Sequence, residues 1–282
     1  MKRAVTLSAL ACLLTVTAAA PAASGASAPA ASGASAPARQ PAHGHQASAL
    51  DTVPRRGELR VCTTGDYRPF SYRDPGTGTY RGVDIDMARN LARSLDAKPR
   101  YVPTTWAGLI GDLSAGRCDI AMGGISITLA RARSVAFSEP TRTDGKTPIV
   151  RCADKDEYGT LQQIDRPGTT VIVNPGGTNE EFARAHIKHA TLKVHPDNTT
   201  IFDEIIAGRA DVMMTDASET RYQAKVHPEL CSLHPEKPFT FSEKAYALPR
   251  GDHDFTAYVN QWVHLATHDG TYRTYENAWM GK

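Results

Sequence analysis

The chain has 282 residues, 41% hydrophobic and 22% charged, which is enough apolar material for one or two sizeable cores and is not the composition of a disordered chain. Its formal charge is +2 and its lysines and arginines are scattered rather than striped, so no nucleic-acid partner is expected. Beyond the N-terminal segment no stretch approaches the apolar length of a membrane span, so no membrane insertion of the mature chain is expected.

Lys2 and Arg3 precede an apolar run ending in Ala18-Ala19-Ala20, the layout of a secretory signal peptide over 1–20. A lipid anchor at Cys12 is the weaker reading, because few apolar residues precede it. An octapeptide of Pro, Ala, Ser and Gly then occurs twice, at 21–28 and 29–36, and cannot bury enough apolar surface to fold. Residues 21–54 therefore read as a disordered linker, with folded structure from 55. Export places Cys62, Cys118, Cys152 and Cys231 in an oxidising compartment. Cys62 and Cys118 lie in or beside expected strands and read as small buried residues. Cys152 and Cys231 flank the middle third of the chain and are the favoured disulfide.

In the first part of the folded region, strands at 58–63, 100–103 and 119–123 alternate with helices at 84–95 and 106–115. The same alternation returns with strands at 170–173, 191–194 and 211–215 and helices at 178–189, 199–207 and 217–226. Moreover, Leu113-Ser114-Ala115-Gly116-Arg117-Cys118-Asp119-Ile120-Ala121-Met122 echoes Ile205-Ile206-Ala207-Gly208-Arg209-Ala210-Asp211-Val212-Met213-Met214, each reading as a helix end, a Gly stop and a buried strand. Two related α/β units with parallel sheets follow. Returns at 145–151 and 241–248 are expected to be paired hinge strands, and the last helices, at 255–267 and 272–279, to rejoin the first unit. The expected organisation is lobe 1 at 55–147 with 246–282 and lobe 2 at 148–245. Ligands of such sheets collect at the carboxyl ends of the strands, here 64–70, 123–128, 174–180 and 215–216.

One of these edges is unusually informative. Val171-Ile172-Val173 reads as a buried strand, Asn174-Pro175-Gly176-Gly177 breaks it, and Thr178 can cap the helix that follows, with Glu181 at capping-box spacing. A helix N-terminus favours anions, so Glu180 at this turn suits an anionic ligand only if its carboxyl carries a proton.

Gly65-Asp66-Tyr67-Arg68-Pro69-Phe70, Gly82-Val83-Asp84-Ile85-Asp86, Gly124-Ile125-Ser126-Ile127-Thr128-Leu129-Ala130-Arg131 and Phe137-Ser138-Glu139-Pro140 resemble the periplasmic amino-acid-binding proteins of ABC importers, solute-binding protein family 3, over about residues 55–280. Asp144-Gly145-Lys146-Thr147-Pro148-Ile149, the 174–180 turn, His195-Pro196-Asp197-Asn198, His227-Pro228-Glu229-Leu230-Cys231 and Glu243-Lys244-Ala245-Tyr246 are similar to the periplasmic cyclohexadienyl dehydratases within that superfamily. The resemblance implies an α/β fold of the type II periplasmic-binding-protein kind, two lobes joined by two hinge strands around a ligand cleft. It implies a lyase that converts prephenate to phenylpyruvate and arogenate to phenylalanine, periplasmic and without a cofactor.

The resemblance carries roles to particular residues. Arg131, helped by Ser126 and Thr128, corresponds to the grip on the ligand α-carboxylate, for which a bidentate guanidinium is suited. Asp216 corresponds to the carboxylate that holds an α-amino group, Phe70 and Trp106 to aromatic walls, and Lys146 to a second cation for the substrate. Glu180 corresponds to the general acid that protonates the leaving hydroxyl, with Thr178 and Asn179 hydrogen-bonding near the ring. The stretch Pro140-Thr141-Arg142 departs from the receptor pattern, so the resemblance assigns no contacts to Thr141, Arg142 and Thr143. The runner-up is a non-catalytic receptor that delivers an amino acid to an importer. No metal is expected, since the histidines show no metal-binding spacing. Oligomeric state, including a homo-oligomer, is left open.

Overall fold

A computed structural model describes residues 47–281. The expected signal peptide and the octapeptide repeat lie outside the described residues. The linker expectation fails at its end, where Ala49–Arg56 is a helix. Ser48 accepts from the Leu50 N–H, and the Ser48 hydroxyl and Ala49 N–H donate to Asp252 at 2.6 and 2.7 Å. Asp252 also caps the helix His253–His268 by accepting from Phe255, so one carboxylate satisfies two helix starts. Ala49 and Val53 pack into the same core as Phe255 and Val259.

Each lobe is a five-stranded sheet on one plan. In the first the order is Lys98–Pro103, Glu58–Thr63, Ile120–Ala121, Ala247–Pro249 and Val135–Phe137. In the second it is Thr191–Val194, Thr170–Val173, Val212–Asp216, Lys146–Arg151 and Leu230–Ser232. The first three strands of each are parallel and the fourth runs against them. Alternate residues of a strand feed opposite faces. Val61 packs with Met87, Leu91 and Trp262 while Cys62 packs with Leu109 and Leu113. In the second lobe Val171 and Val173 join Phe182 while Ile172 joins Phe202 and Ile205.

The lobes are joined by an antiparallel pair, Arg142–Asp144 with Ser242–Lys244. The first hinge strand was expected at 145–151, but Lys146–Arg151 is instead the antiparallel member of the second sheet, where its Thr147-Pro148-Ile149-Val150 stretch is fully buried. The helices His253–His268 and Thr271–Met280 return to the first lobe, where Phe255, Val259 and Trp262 enter its core. The helix expected from 106 begins only at Leu109, because Trp106 and Ala107 are held against the other lobe.

Cys152 pairs with Cys231, as expected, and Cys62 pairs with Cys118, which was not. Cys62 lies on the first strand and Cys118 enters its parallel neighbour, so the fold brings two residues 56 apart side by side. Closing a loop of that length restricts the unfolded chain. Replacing Cys62 and Cys118 by alanine is expected to lower the unfolding free energy by about 2–5 kcal/mol in a denaturant titration, while non-reducing peptide mapping of the parent chain recovers both pairs.

Candidate functional site

The carboxyl ends of the two sheets meet at a cleft, and what fills it is charge. Asp216 ends the strand Val212–Asp216 and is 2% exposed. Its Oδ1 accepts from Lys146 Nζ at 2.9 Å, and its Oδ2 accepts from Lys244 Nζ and from the Tyr67 hydroxyl. The Lys146 ammonium also donates to Thr178 Oγ1 at 3.0 Å and to Asn179 Oδ1, and the Lys244 ammonium to Ser126 Oγ at 2.8 Å. Burial pulls the Lys146 ammonium below the usual lysine range, opposed by Asp216. Asp216 would be pushed up by its own burial, but the two lysines outweigh that and hold it well below the usual carboxylate range.

A cavity of about 10 Å³, room for about one water, remains between Tyr67, Trp106, Ser126, Arg131, Asn179 and Lys244, with Gly177 and Thr178 also lining it. Arg131 is a cavity residue whose Nη1 donates to the Ser126 carbonyl at 2.9 Å, and burial lowers its proton affinity. Closure rests on the Gly176-Gly177 turn. A Cβ on Gly176 would stand 2.8 Å from the Ala107 Cβ, and its φ of +79° disfavours any other residue. Across the same seam Asn198 Nδ2 donates to the Asp66 carbonyl at 2.9 Å, and within the first lobe Trp106 Nε1 donates to the Asp66 carboxylate at 3.1 Å.

Behind the cavity lies a carboxyl that the sequence reading did not single out. Glu219 is fully buried, and that burial raises its pKa to about 8, with Asp216 and Asp66 pushing the same way. Thr215 Oγ1 donates to its Oε2 at 2.6 Å and accepts from the cavity residue Asn179 at 2.9 Å. Oε1 has no hydrogen-bond partner among the described residues. Glu219 is therefore a neutral acid near pH 7, separated from the cavity by two side chains, Thr215 and Asn179.

The expected acid is in the opposite state. The Gly176 N–H donates to Glu180 Oε2 at 2.6 Å, Arg184 pairs with Oε1 at 2.6 Å, and both hold the Glu180 carboxyl below the usual range. Glu180 is absent from the cavity wall and stabilised as an anion, the reverse of what a general acid requires. Gly177 takes the N-cap position without a side-chain cap, so Thr178 and Glu181 form no capping box, and the Thr178 hydroxyl serves Lys146 instead. Thr128 caps the turn Leu129–Ala132 through the Arg131 N–H and does not line the cavity. Phe70 is buried behind Tyr67, which supplies the aromatic wall together with Trp106. Asp216, expected to receive an amino group, already has both oxygens engaged. Arg142 pairs with Glu276 and packs over Phe70, away from the cavity.

Two lobes of one plan, shut across a polar cleft by a two-stranded hinge, define a two-domain solute-binding protein. The chain belongs to the bacterial extracellular solute-binding proteins, family 3, which it matches over residues 59–282. It is 55% identical over 235 residues to the cyclohexadienyl dehydratase of Pseudomonas aeruginosa, covering 83% of this chain and 87% of that protein. The L-cystine-binding protein of Escherichia coli is 27% identical over 233 residues, 82% of this chain and 86% of that one. Among solved structures, an ancestral amino acid-binding protein described as a precursor of cyclohexadienyl dehydratase superposes with a TM-score of 0.76 at 36% identity, over 83% of this chain and all of that one. Among the described residues, no helix is long and apolar enough to cross a membrane.

The Glu219 environment has a consequence for stability. Its pKa is about 8 when folded against an ordinary 4.5, so between those values the unfolded chain releases a proton that the folded chain keeps. The contribution of Glu219 is therefore full below about 4.5 and lost as pH rises towards 8. Glu219→Gln, which does not titrate, is expected to gain stability relative to the parent chain across that window, as read from melting temperatures taken at stepped pH.

Proposed function

We propose that this chain is a periplasmic cyclohexadienyl dehydratase, converting prephenate to phenylpyruvate and arogenate to phenylalanine, with Glu219 as the general acid. The observation that carries the reading is the fully buried Glu219, whose pKa is raised to about 8 by that burial and which is linked through Thr215 to Asn179 on the wall of a cleft rich in cations. The 55% identity to a dehydratase over most of both chains supports it.

The reaction removes a ring hydroxyl and a ring carboxylate together. The C4–O bond breaks as that oxygen takes a proton and leaves as water. The bond from the ring to its carboxylate breaks as CO₂ departs, and that electron pair completes the aromatic ring. Prephenate and one proton thus yield phenylpyruvate, CO₂ and water. A neutral carboxyl can supply that proton at pH 7, whereas Glu180, ion-paired and with lowered pKa, is poorly suited to it. Arg131, with its planar fork, suits the side-chain carboxylate, and the lysine ammoniums suit the remaining anion. A substrate of this size enters only when the lobes part and the residues filling the cleft re-form around it.

Purified protein given prephenate is expected to form phenylpyruvate, followed by its absorbance. Glu219→Gln should lose at least about 10²-fold in kcat, while Glu180→Gln stays within about threefold. Absent turnover together with tight binding of an amino acid would favour the receptor reading instead.

A further inference from the structure

We propose, resting on the dehydratase reading, that the cleft selects by charge for the keto substrate over its amino counterpart, and that Lys244 is the residue that sets this preference. An amino acid's ammonium needs a buried acceptor with a free oxygen. Among the described residues Asp216 is the only carboxylate on the cavity wall, and Lys146 holds one of its oxygens while Lys244 and Tyr67 hold the other. The Ser126 carbonyl is taken by Arg131. Glu219 accepts through Oε2 and is neutral near pH 7, so it supplies no second anion.

The charge count points the same way. Among the described residues the cavity wall carries two cations, Arg131 and Lys244, and one carboxylate, Asp216, which Lys146 also binds, while Glu181 and Asp144 act on Arg131 and Lys146 from outside the wall. Prephenate brings two carboxylates and no cation. Arogenate brings the same two carboxylates with an ammonium that must displace a lysine or sit beside one, a like-charge contact that discriminates against it.

Lys244 is the discriminating member because of where it stands. It ends the hinge strand Ser242–Lys244, is 2% exposed, and is fixed through Ser126 Oγ and through the antiparallel bridge between Ser126 and Lys244. Its ammonium is thus placed by the hinge and by the first lobe while it binds an aspartate of the second.

The test compares kcat/KM for prephenate and for arogenate in the parent chain and in Lys244→Gln, together with calorimetric binding of phenylpyruvate and L-phenylalanine to the parent chain. The parent is expected to favour prephenate by at least about tenfold, and phenylpyruvate to bind more tightly than L-phenylalanine, which differs from it only at the keto position. Lys244→Gln, which removes one positive charge and leaves only the Tyr67 hydroxyl on that Asp216 oxygen, should narrow the kinetic preference by about tenfold or more. Equal kcat/KM in the parent, an unchanged ratio in the folded variant, or tighter binding of L-phenylalanine would each overturn the proposal. Should Lys244→Gln not fold, the kinetic ratio is read in Lys244→Met instead, while the two comparisons on the parent chain decide charge selection by the cleft. A parent chain that turns over neither substrate would count against the dehydratase reading, and the binding comparison would then decide charge selection alone.

Discussion

Asp216 is held by donors from three parts of the chain: Tyr67 from the first lobe, Lys146 from the strand opposite it in the second, and Lys244 from the hinge. An unpaired carboxylate at 2% exposure would be intolerable, since burying an isolated charge costs far more than a fold can spare. Two lysines resolve that and create the opposite excess. The hydroxyls and amide that crowd around them, Ser126, Thr178 and Asn179, spread the surplus positive charge over polar atoms. The side chains of the site satisfy one another, and the excess of ammonium over carboxylate at Asp216 is what an anionic ligand meets.

The seam between the lobes follows from backbone geometry as much as from charge. Gly176 and Gly177 present bare backbone to Ala107 and Trp106, which lets two loops approach to a distance that a side chain would forbid. Those glycines look like an anion-binding turn in the sequence, and they open a helix, but the structure uses them for close approach. The anionic feature at this turn is Glu180, satisfied locally by the Gly176 N–H and Arg184.

Much of the fold was legible because it is written twice. The matching segments ending at Met122 and Met214 announce two sheets of one plan, and hydrophobic periodicity located most of their helices and strands. The hinge was misplaced because Lys146–Arg151 is a fully buried strand, and a buried strand reads the same in a hinge or a sheet. The Cys62–Cys118 bond was missed because neighbouring parallel strands are a tertiary fact. Arg131, Ser126, Thr178, Asn179, Trp106 and Asp216 are brought together at the cleft, each in a motif that can be read locally. Glu219 could not be found that way. It lies three residues after Asp216 at the start of a helix, the spacing of an ordinary capping box, yet the Asp216 side chain makes no cap and Glu219 points inward. The signal that existed was the run Ala217-Ser218-Glu219-Thr220, four small or polar residues on a helix that turns out to be buried on all of them.

The deep burial of Glu219 also constrains the rhythm of turnover. An acid that gives up its proton once per cycle must take another from bulk water, and the shut cleft has room for about one water molecule. Product cannot leave and protons cannot arrive until the lobes separate. A single opening motion would then discharge the product and rearm the acid, so the hinge that confers selectivity would also serve as the clock.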